Sequence, residues 1–153
     1  MKNYYVLKRI RYKKVRKIQP NNLEYTGIHK TDPVAMQLFV YDDDGYEEYK
    51  NVSLQRAKKE IEDELQTEDV KWLNVHGLHD VELIKSIGEL LLIEPFIIGD
   101  ILNIARRSKM EELDHILFFS IKSILPDEDY DTVRVEQISF LLKDNLLVSF
   151  QEK

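Results

Sequence analysis

The sequence predicts an α/β fold: a mixed β-sheet with helices packed on both faces, an α/β/α sandwich that includes a C-terminal antiparallel hairpin. Three observations carry this expectation. Short runs rich in Val, Ile, Tyr and Phe alternate with stretches whose apolar residues recur at helical spacing. Asp, Asn, Gly and Pro punctuate the joints between them. The chain has 153 residues, 43% hydrophobic and 33% charged, which suits one domain able to bury roughly two-thirds of its unfolded surface. No internal repeat or linker divides it, so residues 1–153 read as a single domain behind a basic arm over residues 1–20.

Residues 22–28 and 34–41 read as strands separated by Thr31-Asp32-Pro33. Asp43-Asp44-Gly45 then turns the chain into a further strand over residues 46–52. Ser53 can cap a polar helix running to about Leu65, because its hydroxyl accepts from a backbone N–H left over in the first turn. Residues 70–75, carrying Trp72 and Leu73, form a buried strand. Asp80 caps the next helix, whose Val81, Ile84, Ile87, Leu90 and Leu91 make one apolar stripe. Pro95 opens a third helix, where its missing N–H costs nothing, and that helix ends near Ala105. Residues 116–125 read as a strand stopped by Pro126. Residues 133–142 and 146–150 flank Lys143-Asp144-Asn145 as an antiparallel hairpin.

Composition removes several classes of function. With no cysteine, disulfide scaffolds, thiol catalysis and thiolate metal sites are excluded, and a reducing compartment fits. Five glycines with no Gly-rich stretch argue against phosphate loops and dinucleotide fingerprints. No segment reaches the roughly 18 apolar residues of a membrane span. The net charge is −6, yet every charge from Lys2 to Lys17 is basic and Tyr4, Tyr5 and Tyr12 are interleaved among them. Such an arm could hold phosphates and stack on bases. The favoured reading is pairing with the acidic stretch from Asp42 to Asp69, and no nucleic acid is expected.

Two places could carry chemistry. His76-x-x-His79-Asp80 offers two imidazoles and a carboxylate, the donor set of a zinc site. Spacing on a strand-to-helix turn does not make them converge, and Asp80 already serves as a cap. No nucleophile elbow or paired acid and base is present, so no enzyme is expected. The second place is the helix from Phe96 to Ile104, apolar around nearly its whole circumference and interrupted by Asp100. No cation within that helix pairs with Asp100, and Asn103 can add only an amide. Two readings stand: Asp100 points to water or bonds within its own fold, or it completes a divalent-cation site against a partner subunit.

The order Trp72-Leu73-Asn74-Val75-x-Gly77-Leu78-His79-Asp80, Ile87-Gly88-Glu89, Asp100-Ile101-Leu102-Asn103, Arg107-x-Lys109-x-Glu111-Glu112, Glu136 to Phe140 and Phe150-Gln151-Glu152 resembles the CorA magnesium/cobalt transporter family. Leu23-x-Tyr25-Thr26-Gly27 is a weaker match nearer the start. The resemblance implies the N-terminal cytoplasmic domain of a homopentameric inner-membrane channel, a piece that stops where a stalk helix and two transmembrane helices would follow. It implies Mg²⁺, with Co²⁺ alongside, as both regulatory and transported ion, bound through Asp100 between neighbouring subunits. Gly99 stands where that family commonly has a second acid, and Ser108 where a proline is usual. The alternatives are a zinc-transporting relative with the same domain and a soluble nucleic-acid-binding module that uses the basic N-terminal arm.

Overall fold

The computed structural model describes residues 23–62, 68–126 and 133–152. Its chain order is β1 (Ala35–Tyr41), β2 (Tyr46–Lys50), α1 (Leu54–Glu62), β3 (Val70–His76), α2 (Val81–Leu90), α3 (Pro95–Leu102), β4 (Lys109–Leu113), β5 (Ile116–Pro126), β6 (Val133–Lys143) and β7 (Leu146–Gln151). These strands form one seven-stranded sheet in the order β2-β1-β3-β7-β6-β5-β4. All neighbours are antiparallel except β3 and β7, which run parallel and pair Leu73 with Val148 and Val75 with Phe150. The mixed sheet and its C-terminal hairpin are as expected from the sequence.

Local chemistry explains the joints. Asp42 accepts the backbone N–H groups of Asp44 and Gly45 at 2.8 Å each, closing the β1–β2 turn. Ser53 accepts from Arg56 N at 3.2 Å and Asp80 from Leu83 N at 3.0 Å, so both expected caps form. Pro95 occupies the first turn of α3. Asp114 and Asp144 both take positive φ, at 46° and 47°, in the two-residue turns of the β4–β5 and β6–β7 hairpins.

The helices of the described residues all lie on one face of the sheet. Lys71 in β3 donates to Glu60 O in α1, Gln137 in β6 donates to Asp100 O in α3, and α2 touches both helices. Strand register puts Lys71, Leu146, Ser139, Gln137 and Lys122 on a common side. The core fills this side: Leu38, Leu73, Val75, Val148, Phe150 and Phe118 from the sheet meet Ile84, Ile87, Ile97 and Ile101 from the helices. At the α2–α3 contact a Cβ on Gly88 would sit 2.5 Å from Ile98 Cδ1, so the helices approach only because Gly88 has none.

The opposite side differs from the expected second helical layer: no described helix covers it. Phe39 stacks on Trp72 with ring centroids 5.0 Å apart, and Phe119 on Phe140 at 4.8 Å. Between the two stacks runs a polar ladder in which Trp72 Nε1 donates to Ser149 Oγ and Ser149 donates to Asn74 Oδ1, both at 2.8 Å. The expectation rested on strands alternating with helices, an order that puts helices against a sheet without fixing which face each one covers.

Three further boundaries are corrected. The described part of residues 22–28 is not a strand; Thr26 N bonds Leu102 O at 3.1 Å, so its backbone is spent on the end of α3. The third helix stops at Leu102 rather than near Ala105, because Asn103 turns the chain and accepts from Ala105 N at 3.2 Å. Residues 109–113 form the unanticipated edge strand β4. The basic arm over residues 1–20 and the expected end of α1 near Leu65 lie outside the described residues.

Candidate functional site

The Asp100 cluster is assembled by α3, the turn after it and the edge strands. Helix α3 is apolar enough to sink into the core, with Ile97, Ile98, Ile101 and Leu102 buried. That position carries Asp100 inward as well, and the residue is only 5% exposed. A carboxylate so placed requires compensation. It comes from beyond the helix: Arg106 Nε lies 3.0 Å from Oδ1, and Lys109 Nζ forms an ion pair with Oδ2. Of the two readings of Asp100, these contacts match the acid that bonds within its own fold. Both of its oxygens are held by cations of its own chain.

Lys109 is the centre of this cluster. Its ammonium also lies 2.9 Å from Glu111 Oε1, and 5.3 Å and 5.9 Å from the ring centroids of Phe118 and Phe96. Burial alone would depress the lysine's pKa, but hydrogen bonds to Asp100 and then Glu111 outweigh it and hold the pKa above the ordinary value. Glu111 Oε2 is buried without a hydrogen-bond partner. No helical spacing joins 100 to 109, since the contact depends on the edge strand folding back beside α3. Asn103, considered as a companion of Asp100, instead contacts Thr26 Oγ1 at 3.3 Å and closes the C-terminal turn.

Behind Asp100 runs a second layer. Gln137 Nε2 donates to Asp100 O at 3.0 Å, and Lys122 donates to Gln137 Oε1 at 3.0 Å and to Ile104 O. Burial lowers the Lys122 pKa. Thr26 Oγ1 accepts from Ile104 N at 3.1 Å, tying the segment around Tyr25 to the same helix end. Tyr25 then donates its hydroxyl to the buried carboxylate of Glu152, at the end of β7. A Cβ on Gly27 would lie 2.1 Å from the Tyr25 oxygen and 2.2 Å from Glu152 Oε1, so glycine is what admits this bond.

The histidine cluster does not converge. His76 Nε2 is 2.8 Å from Asn74 Nδ2 and belongs to the polar ladder, His79 Nδ1 is buried without a partner, and Asp80 is occupied as a cap. Among the described residues, no group of three or more His, Asp or Glu side chains is placed to hold a metal ion. A cleft of about 290 Å³ lies beside His76, lined by Asp32, Pro33, Gly77 and Glu152, away from Asp100. His29 sits 3.8 Å from Asp32.

No family model matches the chain. It is 28% identical over 136 residues to the cobalt/magnesium transport protein CorA of Thermotoga maritima, a match that covers 89% of this chain and 37% of that protein. The fold is similar to the soluble domain of CorA from Methanocaldococcus jannaschii, with a TM-score of 0.51 at 13% identity over 81% of this chain and 42% of the other. Full-length CmaX gives a TM-score of 0.56 at 11% identity, over 84% of this chain and 37% of that one. Over most of its length the chain is thus similar in sequence to a cobalt/magnesium transport protein CorA, of which it spans little more than a third, and it shares its fold with a solved CorA soluble domain.

Proposed function

We propose that the chain is the cytoplasmic regulatory domain of a CorA-like Mg²⁺/Co²⁺ transporter in the inner membrane, working in a homopentamer and sensing Mg²⁺ at its subunit interfaces. The observation that carries this reading is the relationship to a cobalt/magnesium transport protein over 89% of the chain. Asp100 is the residue assigned to the ion, and what supports it is a buried carboxylate that already gathers two cations. A divalent ion would take Asp100 from Arg106 and Lys109 and neutralise it against a carboxylate of the neighbouring subunit. Two unit charges about 4 Å apart repel by roughly 4 kcal/mol at an effective dielectric of 20. Loss of ions at several interfaces therefore shifts the balance between a closed, symmetric ring and a looser, conducting one. That is negative feedback on uptake.

The test is limited proteolysis of the complete membrane protein across a Mg²⁺ titration. Asp100→Asn, which keeps an acceptor for Lys109, is expected to weaken Mg²⁺-dependent protection. Unchanged protection overturns the role of Asp100. Uptake of Mg²⁺, Co²⁺ and Zn²⁺ by the same protein distinguishes the zinc-transporting alternative.

A further inference from the structure

We propose that Lys109 is a tethered competitor: its ammonium fills the place of the divalent cation at Asp100, and the domain responds to the ion only at concentrations that drive the lysine out. The inference rests on the reading of Asp100 as the ion-binding residue, and adds the element that sets its threshold.

The geometry is that of a cation pocket already occupied. Lys109 Nζ contacts carboxylate oxygens of both Asp100 and Glu111, while the faces of Phe118 and Phe96 close around it. Charge balance explains why occupation matters. Asp100 and Glu111 supply two negative charges, and Arg106 and Lys109 supply two positive ones. With lysine in place the cluster is neutral and has little pull on a free ion. With lysine withdrawn, a net negative charge remains, and Asp100 Oδ2 and Glu111 present oxygens of the kind that Mg²⁺ prefers.

Lys109 is also built to leave. It sits on β4, the five-residue strand at the end of the sheet, and its side chain is 27% exposed on a flexible four-carbon stem. Arg106 is a weaker rival, since its side chain is 59% exposed and solvent screens its pairing. Glu111 Oε2 has no hydrogen-bond partner while the lysine is bound, so the carboxylate keeps an oxygen for the incoming ion.

The experiment titrates MgCl₂ by calorimetry into the complete membrane protein, which supplies the neighbouring subunit, using the native sequence, Lys109→Met, Asp100→Asn and the double variant. Lys109→Met is expected to bind Mg²⁺ at least about tenfold more tightly than the native protein. The double variant is expected to lose that gain. If Asp100→Asn weakens binding but Lys109→Met leaves it within about twofold, the competitor is overturned while Asp100 keeps its assignment. If binding ignores Asp100→Asn, the assignment of Asp100 itself fails. Absence of binding in both the native protein and Lys109→Met overturns both. A second measurement needs no variant: acetylation of Lys109 in the native protein should rise at saturating Mg²⁺, relative to Lys71, whose ammonium is held by Glu60 O. Unchanged labelling of Lys109 overturns the displacement.

Discussion

Tyr25→Phe deletes one oxygen at a site where the consequence can be worked out. The phenol is 4% exposed and donates to Glu152, itself 4% exposed, so removal leaves a buried carboxylate short of a donor. Hydrogen bonds to charged groups contribute about 1.5–3 kcal/mol. For a domain of this size that corresponds to a fall in Tm of roughly 4–10 °C. The pH dependence separates this cause from lost packing. Burial, then the bond to Glu152, raises the Tyr25 pKa above its ordinary 10.0. Above the ordinary value the unfolded chain loses the phenolic proton first, so the native state holds more protons and stability falls as pH rises. The contribution is complete below pH 10 and declines by at most about 1.4 kcal/mol per pH unit beyond it. The native protein should therefore lead Tyr25→Phe by the full margin at pH 8, and the gap should narrow between pH 10 and 11. Thermal melts followed by far-UV circular dichroism at both pH values test this. A gap that stays constant across the range refutes the shared proton as the source of the stabilisation.

Two other variants probe the helical layer. Gly88→Val should cost about 1–3 kcal/mol in urea denaturation, because its Cβ enters the space of Ile98 and both helices must shift. A cost below the error of the fit would show that α2 and α3 part easily. Arg106→Gln should change stability by less than about 1 kcal/mol, since most of the arginine side chain is in water. A larger loss would mean that Asp100 depends on Arg106 rather than on Lys109.

Most of the sheet was legible because its strands carry their own signals. Two-residue turns at Asp144-Asn145, a β-branched and aromatic run over residues 116–125, and the Asp80 and Ser53 caps are local features. Strand β4 was not legible, because Lys109-Met110-Glu111-Glu112-Leu113 is largely charged and sits at an edge, where burial imposes little alternation. The compensation of Asp100 was hidden for a different reason. A pattern at helical spacing sees only neighbours three or four residues away, whereas Arg106 and Lys109 reach it after the chain has reversed. The covering of the sheet was misjudged because the alternation of strands and helices along the chain does not say on which face each helix packs.

The parallel seam between β3 and β7 has a consequence for the order of folding. Every other strand pairing in the sheet runs antiparallel, and the β1–β2, β4–β5 and β6–β7 pairs are joined by short turns. The seam joins residues far apart along the chain, as the Ser149–Asn74 bond across 75 positions shows. Ring closure over such a length costs entropy before any contact repays it, so local hairpins form ahead of it. Two half-sheets thus assemble first, one ending in Trp72 and the other in Ser149, and their zipping together is the slow, committing event. Hydrogen–deuterium pulse labelling should find the β5–β6 amides protected before those that bond across the β3–β7 seam.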